Sequence, residues 1–403
     1  MPTRAFFEAK FSGITVVMSR AVTRISISVV VLLASAFLFT YAAAPSSVDR
    51  LHAHVTWLAD SARQGRRAGT SGAVDAANYI SDQFRSIGFD VQMQEFGGNR
   101  RNVVARYGTS FRTIVAGAHY DGQGPGFPSA SDNAAGVAIL IELARDLKTQ
   151  NLPASLVMVA FDDEEQGLNG STYFANHAPM PLDNVFAAVV FDALGRHFID
   201  LREWTMIVLG TEYSTELSSV MRKHNRNDML TVGTDLIGPR SDFAPFAFKR
   251  VPFLFFSDGT YEDYHGSGDT ADRVDYTRLA GETKLIGEVI HDVALLKTKP
   301  RYHEDPVYPA NEMPGMLKLM AETVSEKKNF PRAYRLVFDD LKTRIPMDTG
   351  RTSTVMAMSA LLAAATPAHA RYFLQSELEP YYESMHKPDI ATALQEESAR
   401  SGQ

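Results

Sequence analysis

The sequence predicts an α/β protein: a three-layer sandwich with helices on both faces of a mixed, mostly parallel sheet, and a helical extension at the C-terminus. Short continuous apolar runs rich in Val, Ile and Phe recur along the chain, which is typical of strands buried on both faces. Helical patterns lie between these runs, and strands that alternate with helices favour this architecture. The predicted strands are 102–107, 113–118, 155–161, 186–191 and 251–256.

The first predicted helix covers residues 71–87. Val74, Ala77, Ile80 and Phe84 recur there at three- and four-residue spacing, and Gly88 ends the pattern. Comparable periodicity predicts further helices, which cover 133–148, 212–224 and 277–297. We therefore expect residues 45–299 to form the main domain.

The C-terminal quarter of the chain has a different character. Four prolines between 300 and 314 indicate a linker, and residues 315–403 are predicted to be mainly helical. An alanine-rich stretch at 354–367 is short for a membrane span, so a buried helix is the better interpretation. Structural packing is the leading role for this region, and the alternatives are capping of an active site, dimer contacts or binding of a partner.

Residues 1–44 are predicted to be an export signal or anchor outside the fold. Arg20 and Arg24 precede an uncharged stretch at 25–44 that ends in alanines, which is the pattern of a secretory signal, with cleavage after Ala42. The alternative is an uncleaved anchor, since 20 apolar residues can just span a bilayer. We expect membrane contact only through this stretch, and the rest of the chain in the periplasm or outside the cell.

The composition excludes several classes of site and partner. The chain has no cysteine, which excludes a disulfide scaffold, an iron–sulfur cluster, a Cys nucleophile and a sulfur-ligated zinc finger. Any transition-metal site must use His, Asp and Glu, and there are 11 histidines. The net charge of −7 and the lack of a long basic run argue against a nucleic-acid partner.

Side chains that bind metals follow the predicted strands at the point where each strand ends. In open α/β sheets, ligands bind beyond the carboxyl ends of the strands. Asp192 directly follows a buried strand, where a carboxylate needs a partner. The candidates come from five segments of the chain: His119 with Asp121, Asp132, Glu164 with Glu165, Asp192, and His265 with Tyr264.

The convergence of these segments predicts a metal site of two ions. Crowded carboxylates repel one another strongly unless cations hold them. Two histidines and three carboxylates, one of them bridging, suit zinc without sulfur, and two ions ~3.5–4 Å apart can clamp the attacking and leaving oxygens of a hydrolysis. The predicted zinc ligands are His119, Asp132, Glu165, Asp192 and His265.

Three neighbouring residues are candidates for catalysis. Glu164 lies beside a predicted ligand and fits a general base for metal-activated water. Asp121 is placed to accept the free imidazole N–H of His119 and so to orient it; the alternative is a turn residue before Gly122. Tyr264 is placed to donate its hydroxyl to a developing oxyanion; the alternative is an aromatic ring packed on the loop.

From about Arg67 to Leu295 the chain resembles the co-catalytic di-zinc aminopeptidases, metallopeptidase family twenty-eight. The matching motifs, in the family's order and approximate spacing, are RAGTSGAVDAANYISDQFRSIGFDV, VAGAHYDG, SDNAAGVAILIELAR, FDDEEQGLNGS, FDALG and YHGSGDTADRVD.

The resemblance implies a role for each candidate site residue in these motifs. Asp132 would bridge two zinc ions. His119 and Asp192 would hold one ion, and Glu165 and His265 the other, with Glu164 as the general base. In the family, Ser-Asp is often followed by His in a segment expected to contact substrate; here Ser241 and Asp242 are followed by Phe243. Asp269 and Thr270 sit where the family has a similar Asp-Thr, expected to support the His265 loop.

The leading functional hypothesis is an exported zinc aminopeptidase that removes N-terminal residues from peptides, with residues 45–299 as its catalytic domain. One alternative is a glutaminyl cyclase, which has a similar fold and a single zinc. Those enzymes usually carry tryptophan around the pocket, whereas the only tryptophans here are Trp57 and Trp204. A second alternative is another exopeptidase activity of the same family, such as that of a carboxypeptidase or a dipeptidase. An inactive binding domain on this fold would have eroded ligands, and all five are present.

Overall fold

The computed structural model describes residues 46–202, 206–327, 330–347, 351–365 and 367–400, and the side chains of 365–369 are not included. The predicted export signal lies outside these residues. Within the described residues, no helix is both long enough and apolar enough for a membrane crossing.

A mixed eight-stranded sheet forms the centre of the described chain, in the order β1-β2-β4-β3-β5-β8-β6-β7. The four neighbouring strands β4, β3, β5 and β8 are parallel to one another. The pairs β1–β2, β2–β4 and β6–β8 are antiparallel, and β6–β7 is parallel. The strands are β1 Asp90–Glu95, β2 Arg101–Tyr107, β3 Thr113–His119, β4 Ser155–Phe161, β5 Val185–Phe191, β6 Met206–Leu209, β7 Met229–Thr231 and β8 Phe253–Ser257.

All five predicted strands are present, and three others were not predicted. β8 begins two residues later than the apolar run because it follows Pro252, which has no N–H for the ladder. β1 is half-exposed and lacks a continuous apolar run. β6 and β7 have only four and three residues, which is too short for a periodic signal.

Helices cover both faces of the sheet, as predicted. α2 occupies the predicted range; Thr70 accepts a hydrogen bond from the Ala73 amide at its start, and Gly88 ends it at a φ of 97°. The helices of the main domain are α1 Ser47–Ala59, α2 Ser71–Ile87, α3 Gly136–Lys148, α4 Asn169–Asn176, α5 Thr215–Lys223, α6 Ala244–Phe248 and α7 Tyr276–Ala294. The C-terminal helices are α8 Glu312–Glu326, α9 Arg332–Arg344, α10 Thr352–Ala365, α11 Pro367–Phe373, α12 Glu379–Ser384 and α13 Pro388–Arg400.

The C-terminal helices are part of the main core. One face of the sheet packs against α1, α2, α3, α5 and α7. The other face packs against α4, α6 and the helices from α8 onward, so that Val190 and Phe253 share a buried cluster with Leu341, Leu361 and Phe373. The predicted linker is shorter than expected because α8 begins at Glu312. The predicted division between 45–299 and 315–403 is therefore a boundary in sequence within one core.

We predict that Leu341→Ala destabilises the whole described fold by about 2–5 kcal/mol, because truncating a fully buried leucine leaves a cavity. Chemical denaturation followed by near- and far-ultraviolet circular dichroism should show one shifted transition. Lys342→Ala, at the neighbouring exposed position, is the control and should change stability by less than about 0.5 kcal/mol. A separate early transition for the C-terminal helices, with the remainder unshifted, would contradict a shared core.

Candidate metal centre

The predicted ligands lie together at the carboxyl edge of the four parallel strands. His119 is the last residue of β3, and Asp192 directly follows β5. Glu164 and Glu165 lie in the loop after β4, and His265 lies in the loop after β8. Because the four strands run in the same direction, their carboxyl ends meet at one edge of the sheet.

Asp132 lies between the two histidines. His119 Nε2 is 3.2 Å from Asp132 Oδ1 and 3.2 Å from Asp192 Oδ1. His265 Nε2 is 3.0 Å from Asp132 Oδ2 and 3.3 Å from Glu165 Oε2. One oxygen of Asp132 therefore faces each histidine, which is the arrangement of a bridging carboxylate.

The residues present fit zinc. Two atoms that coordinate one tetrahedral ion at about 2.0–2.2 Å lie about 3.3 Å apart, which is close to the separations above. Among the described residues, the buried oxygen Glu165 Oε1 accepts no hydrogen bond, and the polar group beside Asp132 Oδ2 is the His265 ring at 3.0 Å. Buried carboxylate oxygens normally have partners, so Glu165 Oε1 retains the capacity to bind a cation.

Glu164 faces the same centre. One of its carboxylate oxygens lies within 4.8 Å of the ligand atoms of His119 and Asp192. The residue is 9% exposed, and the side chains of the predicted ligands Asp192 and His265 are 13% and 22% exposed, so the centre is open to solvent on their side. The position of Glu164 suits a proton acceptor for a water molecule at the site, and it also permits direct metal binding.

Burial and neighbouring negative charges make ionisation of the clustered carboxyl groups unfavourable. Burial opposes ionisation of Asp132, but contacts with His119 and His265 outweigh it and lower the pKa of Asp132. Burial raises the pKa of Glu165 well above its ordinary value, and the charge of Asp132 adds to that effect. Burial likewise raises the pKa of Glu164; His119 opposes the rise. Divalent cations would relieve this repulsion and favour the ionised acids.

Asp121 connects the first histidine to the Glu-Glu segment. His119 Nδ1 lies 3.3 Å from the carbonyl oxygen of Asp121 and 3.5 Å from its Oδ1. The carboxylate also accepts hydrogen bonds from the backbone amides of Glu164 at 3.0 Å and Glu165 at 3.3 Å. Asp121 therefore contacts the imidazole mainly through its backbone carbonyl, and its carboxylate holds the loop that carries both glutamates, which the spacing alone did not indicate.

Asp269 and Arg66 hold the segment that carries the bridging residue. Asp269, predicted to support the His265 loop, accepts hydrogen bonds from the amides of Ser131 and Asp132, and from the Tyr261 hydroxyl. Its main contacts are thus with the Asp132 segment.

The Arg66 guanidinium is fully buried and was not predicted as part of the site. It donates to the carbonyl oxygens of Tyr120, Leu58, Pro128 and Ser129 at 2.7–2.9 Å. It therefore ties the chain just after His119 to the loop just before Asp132. Its sequence context, an arginine among several in a loop, carries no signal for this role.

Ser241 and Asp242 were predicted to contact substrate; Ser241 lies at the cavity, whereas Asp242 is buried. The Ser241 hydroxyl donates to Asp192 Oδ2 at 2.9 Å, so it orients a predicted ligand while also lining the neighbouring cavity. Asp242 is 1% exposed, which keeps its carboxylate out of reach of a substrate in this conformation. Burial raises the pKa of Asp242 to about 7. Asp242 belongs to the buried support of the site.

Tyr264 packs beside His265 at the mouth of a cavity. The two rings stack with centroids 4.0 Å apart, so the packing role considered from the sequence is present. Tyr264 also lines the cavity, which leaves a contact with substrate open to it. Trp57 stacks on Tyr79 on the opposite face of the sheet, and Trp204 lies outside the described residues.

Comparisons with known proteins agree with this geometry. Residues 102–290, which include every predicted ligand, match the model of peptidase family M28. Aminopeptidase YwaD of Bacillus subtilis is 25% identical over 199 residues, which cover 47% of this chain and 42% of that protein. The chain thus spans less than half of this relative.

Solved structures share the fold. A zinc aminopeptidase from Bacillus subtilis superposes with a TM-score of 0.55 at 16% identity, over 65% of this chain and 99% of the other. A glutaminyl cyclase from Porphyromonas gingivalis gives a TM-score of 0.50 at 20% identity, over 61% and 97%. At these identities, the likenesses establish architecture alone. The match to the family model, together with the order of the motifs, shows that residues 102–290 of this chain are similar to peptidase family M28.

Proposed function

We propose that this protein is a zinc-dependent aminopeptidase that hydrolyses N-terminal residues from peptides, with two zinc ions per chain. The observation that carries the proposal is the bridging position of Asp132 between two pairs of ligands, one with His119 and Asp192, the other with His265 and Glu165. The match to the family model supports a zinc peptidase. The aminopeptidase name of a relative and the fold of a zinc aminopeptidase support the finer activity.

The chain's own groups divide the chemistry between them. Bound zinc would supply Lewis acidity and a lowered pKa for water. Glu164 accepts the proton of the attacking water and passes it to the departing amine. Tyr264 donates its hydroxyl to the oxygen of the scissile carbonyl. Asp121 and Ser241 hold His119 and Asp192 in place, because each makes a short polar contact to one of them.

A glutaminyl cyclase is the second candidate, supported by the shared fold. In the described part of the chain, two groups of His, Asp and Glu could each hold a metal ion, which favours a two-zinc peptidase over a single-zinc cyclase. Among the described residues, the cavity beside the centre has no tryptophan in its lining, unlike the pocket expected of a cyclase.

We further propose that the protein acts outside the cytoplasm, because 25–44 has the pattern of an export signal. Its substrates would be peptides, and nucleic acid would not be a partner.

Peptides with free and N-acetylated termini test the activity. We predict that the zinc-loaded protein cleaves Leu-Gly-Gly at its first peptide bond and leaves N-acetyl-Leu-Gly-Gly intact, because an aminopeptidase requires a free terminal amine. Mass spectrometry of the products makes the measurement. Cleavage of the blocked peptide would contradict the proposal. Conversion of a Gln-Gly-Gly peptide to its pyroglutamyl form, without hydrolysis of Leu-Gly-Gly, would instead identify a cyclase.

Glu164→Gln tests the general base. We predict that turnover falls by about 10²–10⁴-fold while zinc content stays unchanged, because the amide keeps the shape of the side chain but cannot take a proton. Glu262→Gln, at an exposed position of the His265 loop, is the matched control and should retain full activity. Loss of zinc in Glu164→Gln would make Glu164 a ligand, and unchanged turnover would remove it from the mechanism.

A further inference from the structure

The C-terminal helices reach the metal centre. A cavity of about 250 Å³ opens beside the predicted ligands Asp192 and His265. Leu362 of α10, with Tyr372 and Phe373 of α11, forms part of its wall. These residues lie well beyond residue 290, where the match to the family model ends. The wall is therefore a feature of this chain that the family motifs do not describe.

Apolar side chains also form the opposite part of the lining, while the side next to the predicted ligands is polar. Phe198, Ile207 and Phe255 line the cavity from the sheet side, and each is buried. Leu362 is 7% exposed and Phe373 is 6% exposed, so the C-terminal wall is packed at these two residues, whereas Tyr372 is 52% exposed. The volume lies just below the ~300–1,000 Å³ of pockets for whole small molecules. The cavity thus has room for a single bulky apolar group held next to the ligands.

A charged contact joins this wall to the metal centre. Arg240 donates to Glu377 Oε1 at 3.0 Å, and its guanidinium carbon lies 4.9 Å from the Phe373 ring centroid and 5.1 Å from that of Tyr372. The next residue, Ser241, donates to Asp192. One short segment of chain therefore contacts both a predicted zinc ligand and the helices that form the wall.

We propose that Leu362, Tyr372 and Phe373 form the specificity wall of the enzyme: Leu362 and Tyr372 select peptides whose N-terminal residue has a large apolar side chain. This inference rests on the proposed aminopeptidase function and assigns a role to the C-terminal helices within it. The apolar part of the lining disfavours charged side chains because they would lose hydration there, and the guanidinium of Arg240, which also lines the cavity, is already paired with Glu377. A small side chain such as that of alanine would leave most of the cavity unfilled.

Amino-acyl 4-nitroanilides of alanine, leucine and phenylalanine test this assignment on the zinc-loaded protein. One methylene in an apolar pocket changes kcat/KM by about 10–200-fold. Because leucine and phenylalanine each have several more carbons than alanine, we expect kcat/KM for their substrates to exceed that for the alanine substrate by at least this factor. Leu362→Ala should reduce the ratio of kcat/KM for leucine to that for alanine at least about tenfold, through a raised KM for the leucine substrate.

Two further variants keep the test decisive. Tyr372→Ala removes a half-exposed ring, so the change costs little core packing, and it should also lower the preference. Leu361→Ala truncates the neighbouring, fully buried leucine of α10, which does not line the cavity, and it should leave the ratio unchanged. An unchanged ratio in folded, active Leu362→Ala and Tyr372→Ala would overturn the proposal.

Calorimetric titration with L-leucine and L-alanine separates this proposal from the proposed function. If the wild-type protein hydrolyses no unblocked substrate, the aminopeptidase proposal fails, and the titration still decides the role of the wall. Tighter binding of L-leucine than of L-alanine, lost in Leu362→Ala and kept in Leu361→Ala, supports the specificity wall. Equal or absent binding of both amino acids by the wild-type protein contradicts it.

Discussion

Repulsion among the carboxylates around Asp132 is the constraint on which the structure of this site depends. Asp121, Glu164, Glu165, Asp192, Asp242 and Asp269 all act on one another or on the histidines through their charges. Burial raises the pKa of several of them, which is the direction expected where negative charge accumulates away from water. Two divalent ions between these groups would turn a destabilising cluster into a coordination site.

The fold holds this cluster in place with groups that are not ligands. Arg66 supplies a permanent buried cation. Burial lowers its pKa to about 10, while Asp121 and Asp269 oppose the fall, so it stays protonated at neutral pH. Its four carbonyl contacts and the amide contacts of Asp269 act on either side of Asp132. Geometry at the bridging residue therefore depends on hydrogen bonds to backbone, which hold whether or not the ligands are charged.

Five of the eight described strands and the predicted ligands at their ends follow from local sequence, whereas the supporting residues do not. His119 and Asp192 terminate long apolar runs, so the pattern of burial locates them directly. Arg66 and Asp269 act through contacts to backbone atoms of distant segments, and such contacts leave no periodic trace in their own neighbourhoods. The short strands β6 and β7 were not predicted for a related reason. β6 is a strand because it pairs with β8 and β7, and β7 is a strand because it pairs with β6. The Ser241 contact to Asp192 likewise depends on tertiary structure.

The tertiary contacts of the C-terminal helices were also not predictable from the local sequence. Their apolar character is evident in the sequence, but the packing of Leu341 and Leu361 against the sheet, and the position of Leu362 on the cavity that Asp192 also lines, appear only in three dimensions. They complete one helical layer of the sandwich and bring this chain's own residues to the metal centre, so stability and specificity are coupled in the same segment.

The central claim is that Asp132 bridges two zinc ions. A crystal structure of the zinc-loaded protein, with anomalous scattering recorded on both sides of the zinc absorption edge, measures this directly. We expect two zinc peaks ~3.5–4 Å apart, with one oxygen of Asp132 on each. A single peak, or two ions without Asp132 between them, would contradict the account.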